Sequence, residues 1–452
     1  MKINFDDLTK RGIYLKDKIY DYIIIGSGPA GISLYKKILS INKNKKILIL
    51  EEGDFQKKKF KKILSKDIKI KLKSRAFTAG GTSTVWSNIS SYFEEFEMDS
   101  RWSGEKGNLW PIKQKDLLKE YKNLDKEYLF SYEKLKKVFL NIPFETRPFV
   151  GSIKPTNFKQ FINPNQIDIV YNCKIDSVDE NQKIALALTK KKINFKAKKI
   201  IVCCGGIESV CLIKNSIYKK KLKKIKNKNI IGKYFMDHPK FDLGYLKFPK
   251  LDIINKLVLK NEKNMIFYHG VSLRKNIQKK NNLLNSYVRF EQPQNKLFRF
   301  INRYNVPFVR NILLKNMSYK VRLFCEMLPN INNSIIIKNN KVLAKLSLSE
   351  TDRETIKLLS KKIKNYFSHR PREEGDFNFD NMKSLIEGAS HHMGGLRYSN
   401  NKNFSNVDKN LRIRGLRHIY VCSSAIFPTS GSVNPTMTIC ALSNRLAEHL
   451  NK

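Results

Sequence analysis

The chain has 452 residues, 41% of them hydrophobic, enough to bury a large core divided between two lobes. Its 87 Lys and Arg against 40 Asp and Glu leave a net charge of +47, yet the lysines are spread along nearly the whole chain with abundant Asn and Ile, the pattern of a coding bias rather than of a nucleic-acid footprint. Seven cysteines without metal-type spacing, no signal-peptide core and no apolar run of membrane length argue against a metal centre, a disulfide scaffold and a membrane-spanning protein; a cytoplasmic protein is expected, with peripheral contact to a membrane surface left open.

In chain order, Tyr22-Ile23-Ile24-Ile25 reads as a buried parallel strand leading into Gly26-Ser27-Gly28-Pro29-Ala30-Gly31, a GxGxxG fingerprint. Leu34, Ile38 and Ile41 follow at helical spacing, and Ile47-Leu48-Ile49-Leu50 forms a second strand ending in Glu51 and Glu52. Gly26 permits the tight turn, Gly28 lets main chain approach a pyrophosphate at a helix amino end, and Gly31 lets helix and strand pack closely. A carboxylate at the tip of the second strand accepts hydrogen bonds from a ribose diol and repels a phosphate there, so an adenine dinucleotide with an unphosphorylated ribose is expected.

Next comes Gly80-Gly81-Thr82-Ser83-Thr84-Val85-Trp86-Ser87, a loop whose main chain can come close to something flat and polar. The denser basic runs Lys57 to Lys62 and Lys219 to Lys228 are expected as solvated loops or helix faces. From Trp110-Pro111 to Pro164 the chain turns irregular, aromatic and charged, as in an insertion. Ile167 to Val178 and Ile184 to Phe195 read as two paired strands around a turn at Asp179-Glu180-Asn181. The segment Lys199 to Gly206 is another buried strand ending in glycines, with a helix starting at Ile207, and Gly205 joins the candidate nucleotide contacts. His238 before Pro239 is read as an extended or turn histidine of structural role. Residues 241 to 384 show short strand-like runs, then a helix from Glu350 to Phe367, as expected of a substrate lobe.

The last segment carries Ser390-His391-His392-Met393-Gly394-Gly395, then Val407 to Gly415, the strand His418 to Val421, and Pro428-Thr429-Ser430-Gly431-Ser432-Val433-Asn434-Pro435-Thr436. These motifs resemble the end of the glucose-methanol-choline (GMC) oxidoreductases, flavoproteins that oxidise alcohols. The Gly80 loop looks most like the pyranose oxidase and sugar dehydrogenase branch.

The resemblance implies an α/β fold: a Rossmann-type FAD-binding domain interrupted by a substrate-binding domain with a mixed or antiparallel sheet plus helices. The expected division is 15–110, 166–240 and 385–452 for the FAD-binding parts, 111–165 for an insertion or lid, and 241–384 for the substrate domain. It further implies His391 as catalytic base, Asn434 as its partner, and Gly80, Gly81, Thr82, Ser83 and Trp86 beside the flavin. Main chain at Ile175 would meet the adenine part, Ser424 and Ala425 would stand near the ribityl chain, and Pro435 and Thr436 would open a helix aimed at the flavin. Val85 stands where some relatives attach flavin through a histidine, so the FAD is expected to be noncovalent. The substrate is expected to be a sugar, polyol or glycan precursor, and the electron acceptor is unassigned. Alternatives are an apolar alcohol, a desaturation or isomerisation on the same scaffold, or an inactive basic protein that binds nucleic acid or anionic membrane.

Overall fold

The apolar run Tyr22–Ile25 is buried and pairs in parallel with Ile47–Leu50, Tyr22 opposite Ile47 and Ile25 opposite Leu50. The computed structural model describes residues 1–11, 18–98, 110–128, 143–152, 154–181, 183–188, 192–248, 257, 260–262, 265–291, 312, 314, 317–339, 341–367 and 386–452.

Around that pair lies an eight-stranded sheet. In spatial order its strands are Lys2–Asn4, Asp168–Tyr171, Ile47–Leu50, Ile19–Ile25, Lys192–Val202, Ile184–Leu188 and Ile175–Asp179, with Ile419–Val421 also pairing Lys192–Val202. The first five and Ile419–Val421 run parallel; the last two form an antiparallel extension. A parallel sheet is buried on both faces, which is why its central strands are runs of Ile and Val rather than alternating patterns. The segment Lys2–Asn4, ahead of residue 15, belongs to this sheet through its pairing with Asp168–Tyr171.

One expected strand is two. Ile167 to Val178 is broken at Asn172, whose φ of 56° turns the chain: Asp168–Tyr171 stays in the parallel sheet, and Ile175–Asp179 leaves to pair with Ile184–Leu188. Asn tolerates this left-handed conformation, and its side chain donates to Asn4 and Asp54. Likewise, Ile184 to Phe195 divides into Ile184–Leu188 and the start of Lys192–Val202.

The second sheet has seven strands. Lys260–Glu262, Met265–Leu273, Tyr287–Glu291, Tyr319–Phe324, Pro239–Leu246 and Glu387–Gly388 follow one another, and Phe144–Ser152 pairs with Met265–Leu273 over its whole length. All of its pairings are antiparallel. The helix Glu350–Phe367 spans the predicted residues, and its buried side chains Ile356, Leu359, Ile363 and Phe367 lie on one stripe. A small third sheet joins Ser334–Lys338, Lys341–Leu346 and Leu64–Asp67. Lys57, Lys58, Lys59, Lys61 and Lys62 are exposed, as are Lys220, Lys223, Lys224, Lys226 and Lys228, so both basic runs are solvated chain. Among the described residues no helix is long and apolar enough to cross a membrane.

The fingerprint helix Pro29–Ile41 packs against the last helix, Thr436–Leu450, which also touches Lys115–Glu127. That contact brings the two ends of the chain together. At Gly31 a Cβ would stand 2.1 Å from the Gly26 carbonyl oxygen, so the helix crosses its strand at a distance only glycine allows. Gly31→Ala is expected to cost about 3 kcal/mol through overpacking against main chain that cannot withdraw, seen as a lower Tm in a thermal melt.

Candidate active site

Two parts of the site were expected from motifs, and they lie at the amino ends of the two helices just described. At the first, Gly28 precedes the helix Pro29–Ile41, whose amino end has no side-chain cap. The Gly80 loop folds over it: Gly80 N donates to Ser27 Oγ at 3.2 Å, and a Cβ on Gly81 would lie 2.9 Å from Gly28 Cα. Side chains at either glycine would fill this cradle. Pro29, which has no N–H, opens the helix, and the main-chain N–H groups of Ala30 and Gly31 in its first turn have no partners within the helix.

Glu51 is buried, and burial pushes its carboxyl above the usual range. Ser27 N and Ser27 Oγ donate to its Oε2 at 2.9 and 2.7 Å, and Gly53 N donates to Oε1 at 2.8 Å. A carboxylate offers about four acceptor positions, so one on Oε1 remains for a diol. Glu52, by contrast, is half-buried and paired with Lys61. The donor set therefore fits an adenine dinucleotide.

The other expected contacts are distributed around this end. Ser83 Oγ donates to the Gly80 carbonyl at 2.6 Å and accepts from Phe158 N at 3.0 Å, which closes the loop Gly81–Thr84. Thr82 is half-buried, and Trp86 donates to the Thr156 carbonyl at 2.9 Å. Ile175 opens its strand just past Asn172 and Cys173, whose N–H groups bond to the Gly53 and Glu51 carbonyls. Gly205 begins the helix Gly205–Tyr218 with open space around its Cα. Ser424 and Ala425 are buried; Ser424 Oγ donates to the His392 carbonyl at 2.6 Å, and the Ala425 carbonyl accepts from Leu396 N.

At the second part, His391 Nε2 lies 3.2 Å from Asn434 Nδ2. Both residues are half-buried. Asn434 and Pro435 immediately precede the helix Thr436–Leu450, whose amino end also has no side-chain cap. The two predicted catalytic positions, far apart in sequence, are therefore in contact.

Sequence reasoning did not find what surrounds them. His238, read as structural, is buried with its Nδ1 2.9 Å from His391 Nδ1 and its Nε2 3.1 Å from the Ser430 carbonyl. Asp237 Oδ1 accepts from His238 N at 2.7 Å and from His391 N at 2.8 Å. Its other oxygen is buried without a hydrogen-bond partner, 3.7 Å from the equally unpartnered His392 Nε2. The adjacent acid, histidine and proline at 237–239, after the apolar Tyr234-Phe235-Met236, were the one signal available.

Burial sets the protonation of this cluster. It pushes Asp237 up to about 6, against three main-chain N–H donors led by His391 that pull the other way. It also pulls His238 down to about 4 and His392 to about 3, and it drives His391 well below the usual 6.5, with His238, His392 and Lys240 adding repulsion. All three imidazoles are neutral at neutral pH.

A second missed feature supports the Asn434 loop. Arg147 Nη1 and Nη2 donate to the two oxygens of Glu97 at 2.8 and 2.9 Å, and Nη1 also donates to Ser432 Oγ at 2.7 Å. Glu97 Oε1 accepts from Ser432 N at 2.6 Å, while Thr429 Oγ1 donates to the Glu97 carbonyl at 2.8 Å. Among the described residues no group of His, Cys, Asp and Glu could hold a metal.

Comparison with known proteins now bears on this geometry. Residues 336–443, which include His391, His392 and Asn434, match the family model described as GMC oxidoreductase. No curated protein matches the chain. Among solved structures, pyridoxine 4-oxidase from Mesorbium loti is similar with a TM-score of 0.60 at 14% identity, covering 95% of this chain and 99% of that one. Formate oxidase is similar with a TM-score of 0.57 at 14% identity, covering 96% and 98%. A mutant formate oxidase from Aspergillus oryzae RIB40, made to follow FAD modification, gives 0.58 at 14%, covering 96% and 98%. Residues 336–443 are thus similar to the GMC oxidoreductase family, in keeping with the motifs, and the chain as a whole has a mixed α/β fold like that of these oxidases.

Removing the Glu97 carboxylate would leave Arg147 buried beside Ser432 without its main anion. Glu97→Ala is expected to cost about 3–5 kcal/mol, read from urea unfolding.

Proposed function

We propose that this protein is an FAD-dependent oxidoreductase that oxidises a CH–OH group of a sugar, polyol or glycan precursor, with FAD held noncovalently. The observation that carries the reading is the contact of His391 Nε2 with Asn434 Nδ2 at the uncapped amino end of Thr436–Leu450. Gly26, Ser27, Gly28, Gly31, Glu51, Gly80 and Gly81 would hold the cofactor. When bound, FAD supplies the hydride acceptor.

The remaining chemistry falls to the chain itself. Oxidation of an alcohol needs the hydroxyl proton removed as hydride leaves carbon, and His391 Nε2, kept neutral by burial, is the base. Asn434 Nδ2 can donate to the same hydroxyl oxygen and orient it without competing for its proton. The amino end of Thr436–Leu450 favours negative charge in front of it. A sugar or polyol is supported by the resemblance of residues 80–87 to the sugar-oxidising branch. The absence of a histidine at Val85 supports noncovalent FAD, and seven unpaired cysteines support a reducing, cytoplasmic setting. Quinone, carrier protein or oxygen would complete the turnover as acceptor.

Acid precipitation of the purified protein should release its flavin into solution, and anaerobic addition of sugars and polyols should bleach the flavin band with one of them. Pyridoxine and formate, named for the neighbours, belong in the same panel. His391→Ala should retain FAD and reduce it at least ~100-fold more slowly in stopped-flow. Unchanged reduction by that variant would overturn the base assignment. Because His391 stays neutral below its usual titration range, the acidic limb of the rate profile should fall below pH 6.5, with His238, His392, Lys240 and Asp237 as the ionisable groups facing it.

A further inference from the structure

The two histidines are brought together by main chain. Met236 and Met393 exchange both N–H···O bonds, at 2.8 and 2.9 Å, which sets residues 236–238 beside 391–393. A Cβ on Gly394 would lie 2.1 Å from the Tyr234 carbonyl oxygen, so glycine is what lets the two segments lie this close. Asp237 Oδ1 then ties His238 N to His391 N. The imidazoles meet edge to face, at 83° with centroids 5.0 Å apart, and their Nδ1 atoms are 2.9 Å apart.

Only one proton fits between two ring nitrogens at that distance, and its owner follows from the other end of the chain of contacts. The Ser430 carbonyl, 3.1 Å from His238 Nε2, can only accept, so Nε2 carries hydrogen. Neutral His238 then has a bare Nδ1, which accepts Nδ1–H from His391. Neutral His391 in turn has a bare Nε2, which accepts from Asn434 Nδ2. Every nitrogen has one role, and a main-chain carbonyl sets the direction of the whole series.

We propose that His238 is a positioning residue of the reaction: it holds His391 in the tautomer whose Nε2 is free to act as base, and it receives the Nδ1 proton of His391 once Nε2 has been protonated. This rests on the reading of His391 as base. The step balances. The substrate hydroxyl proton bonds to His391 Nε2, which gives an imidazolium with hydrogen on both nitrogens. Its Nδ1–H bond breaks as a bond to His238 Nδ1 forms. The single positive charge moves to His238, and His391 is left neutral with hydrogen on Nε2. Charge is better placed there, because His238 faces the Ser430 and Gly431 carbonyls and the Glu97 carboxylate, whereas His391 faces His392 and Lys240.

The test joins a tautomer measurement to kinetics. In 15N-histidine NMR of the resting protein, His391 should show a protonated Nδ1 and a bare Nε2. His238→Phe, which keeps a flat ring and removes both nitrogens, should shift His391 toward the Nε2–H tautomer and slow flavin reduction about 10–100-fold with FAD content unchanged. His238→Gln, whose amide can accept from His391 and donate to Ser430 but cannot take up a proton, should restore the His391 tautomer and recover only part of that rate; full recovery would overturn the proton transfer to His238. A wild-type His391 carrying hydrogen on Nε2 would overturn the proposal whether or not the variants fold. So would a His238→Phe protein with unaltered tautomer and rate. Failure of the base reading would appear elsewhere, as undiminished reduction in His391→Ala, and so is separable from failure of this one.

Discussion

The candidate site depends first on a buried carboxylate. Asp237 Oδ1 takes main-chain N–H from His238 and from His391, residues more than 150 positions apart in sequence, and so fixes the spacing from which the histidine contact follows. Bonds to main chain hold segments in place more rigidly than bonds to side-chain tips, since neither donor has rotamers of its own. Burial raises Asp237 to about 6 while the N–H groups oppose the rise, so its charge is a matter of local balance.

The other half of the site is held independently. Glu97 and Arg147 form a buried pair that binds Ser432 through main chain and side chain, while Trp110 Nε1 donates to Thr429 Oγ1 at 2.7 Å. A buried ion pair adds little to stability when compared with apolar packing, but it cannot be half removed without a large loss. Here it sets the course of residues 429–434. The two supports meet at two contacts, His238 with Ser430 and His391 with Asn434, which is why imidazole and amide face each other.

The nucleotide end is coupled to this cluster by helix packing. Pro29–Ile41 lies against Thr436–Leu450, so the amino end under the Gly80 loop and the amino end beside Asn434 belong to one packed pair. Both ends lack side-chain caps, and uncapped N–H groups are suited to negative charge. At Gly31 and Gly81 an added Cβ would stand 2.1 and 2.9 Å from main chain, so glycine is what lets the segments lie this close.

Much of this was legible before any coordinates. The fingerprint from Tyr22 to Glu51 is a local signal, because strand, turn, helix and acid are set by apolar runs and by backbone conformations that only glycine adopts; Glu350–Phe367 was legible for the same reason, through its helical stripe. The order of the C-terminal motifs indicated His391 and Asn434. Tertiary structure alone decided that Asn172 divides one apolar run between two pairings, that the His238 ring meets His391, and that Asp237, Glu97 and Arg147 tie the surrounding segments together. Those roles come from burial and from contacts between distant segments, and neither leaves a period or spacing in the chain: a histidine before proline reads the same whether its ring meets water or another imidazole.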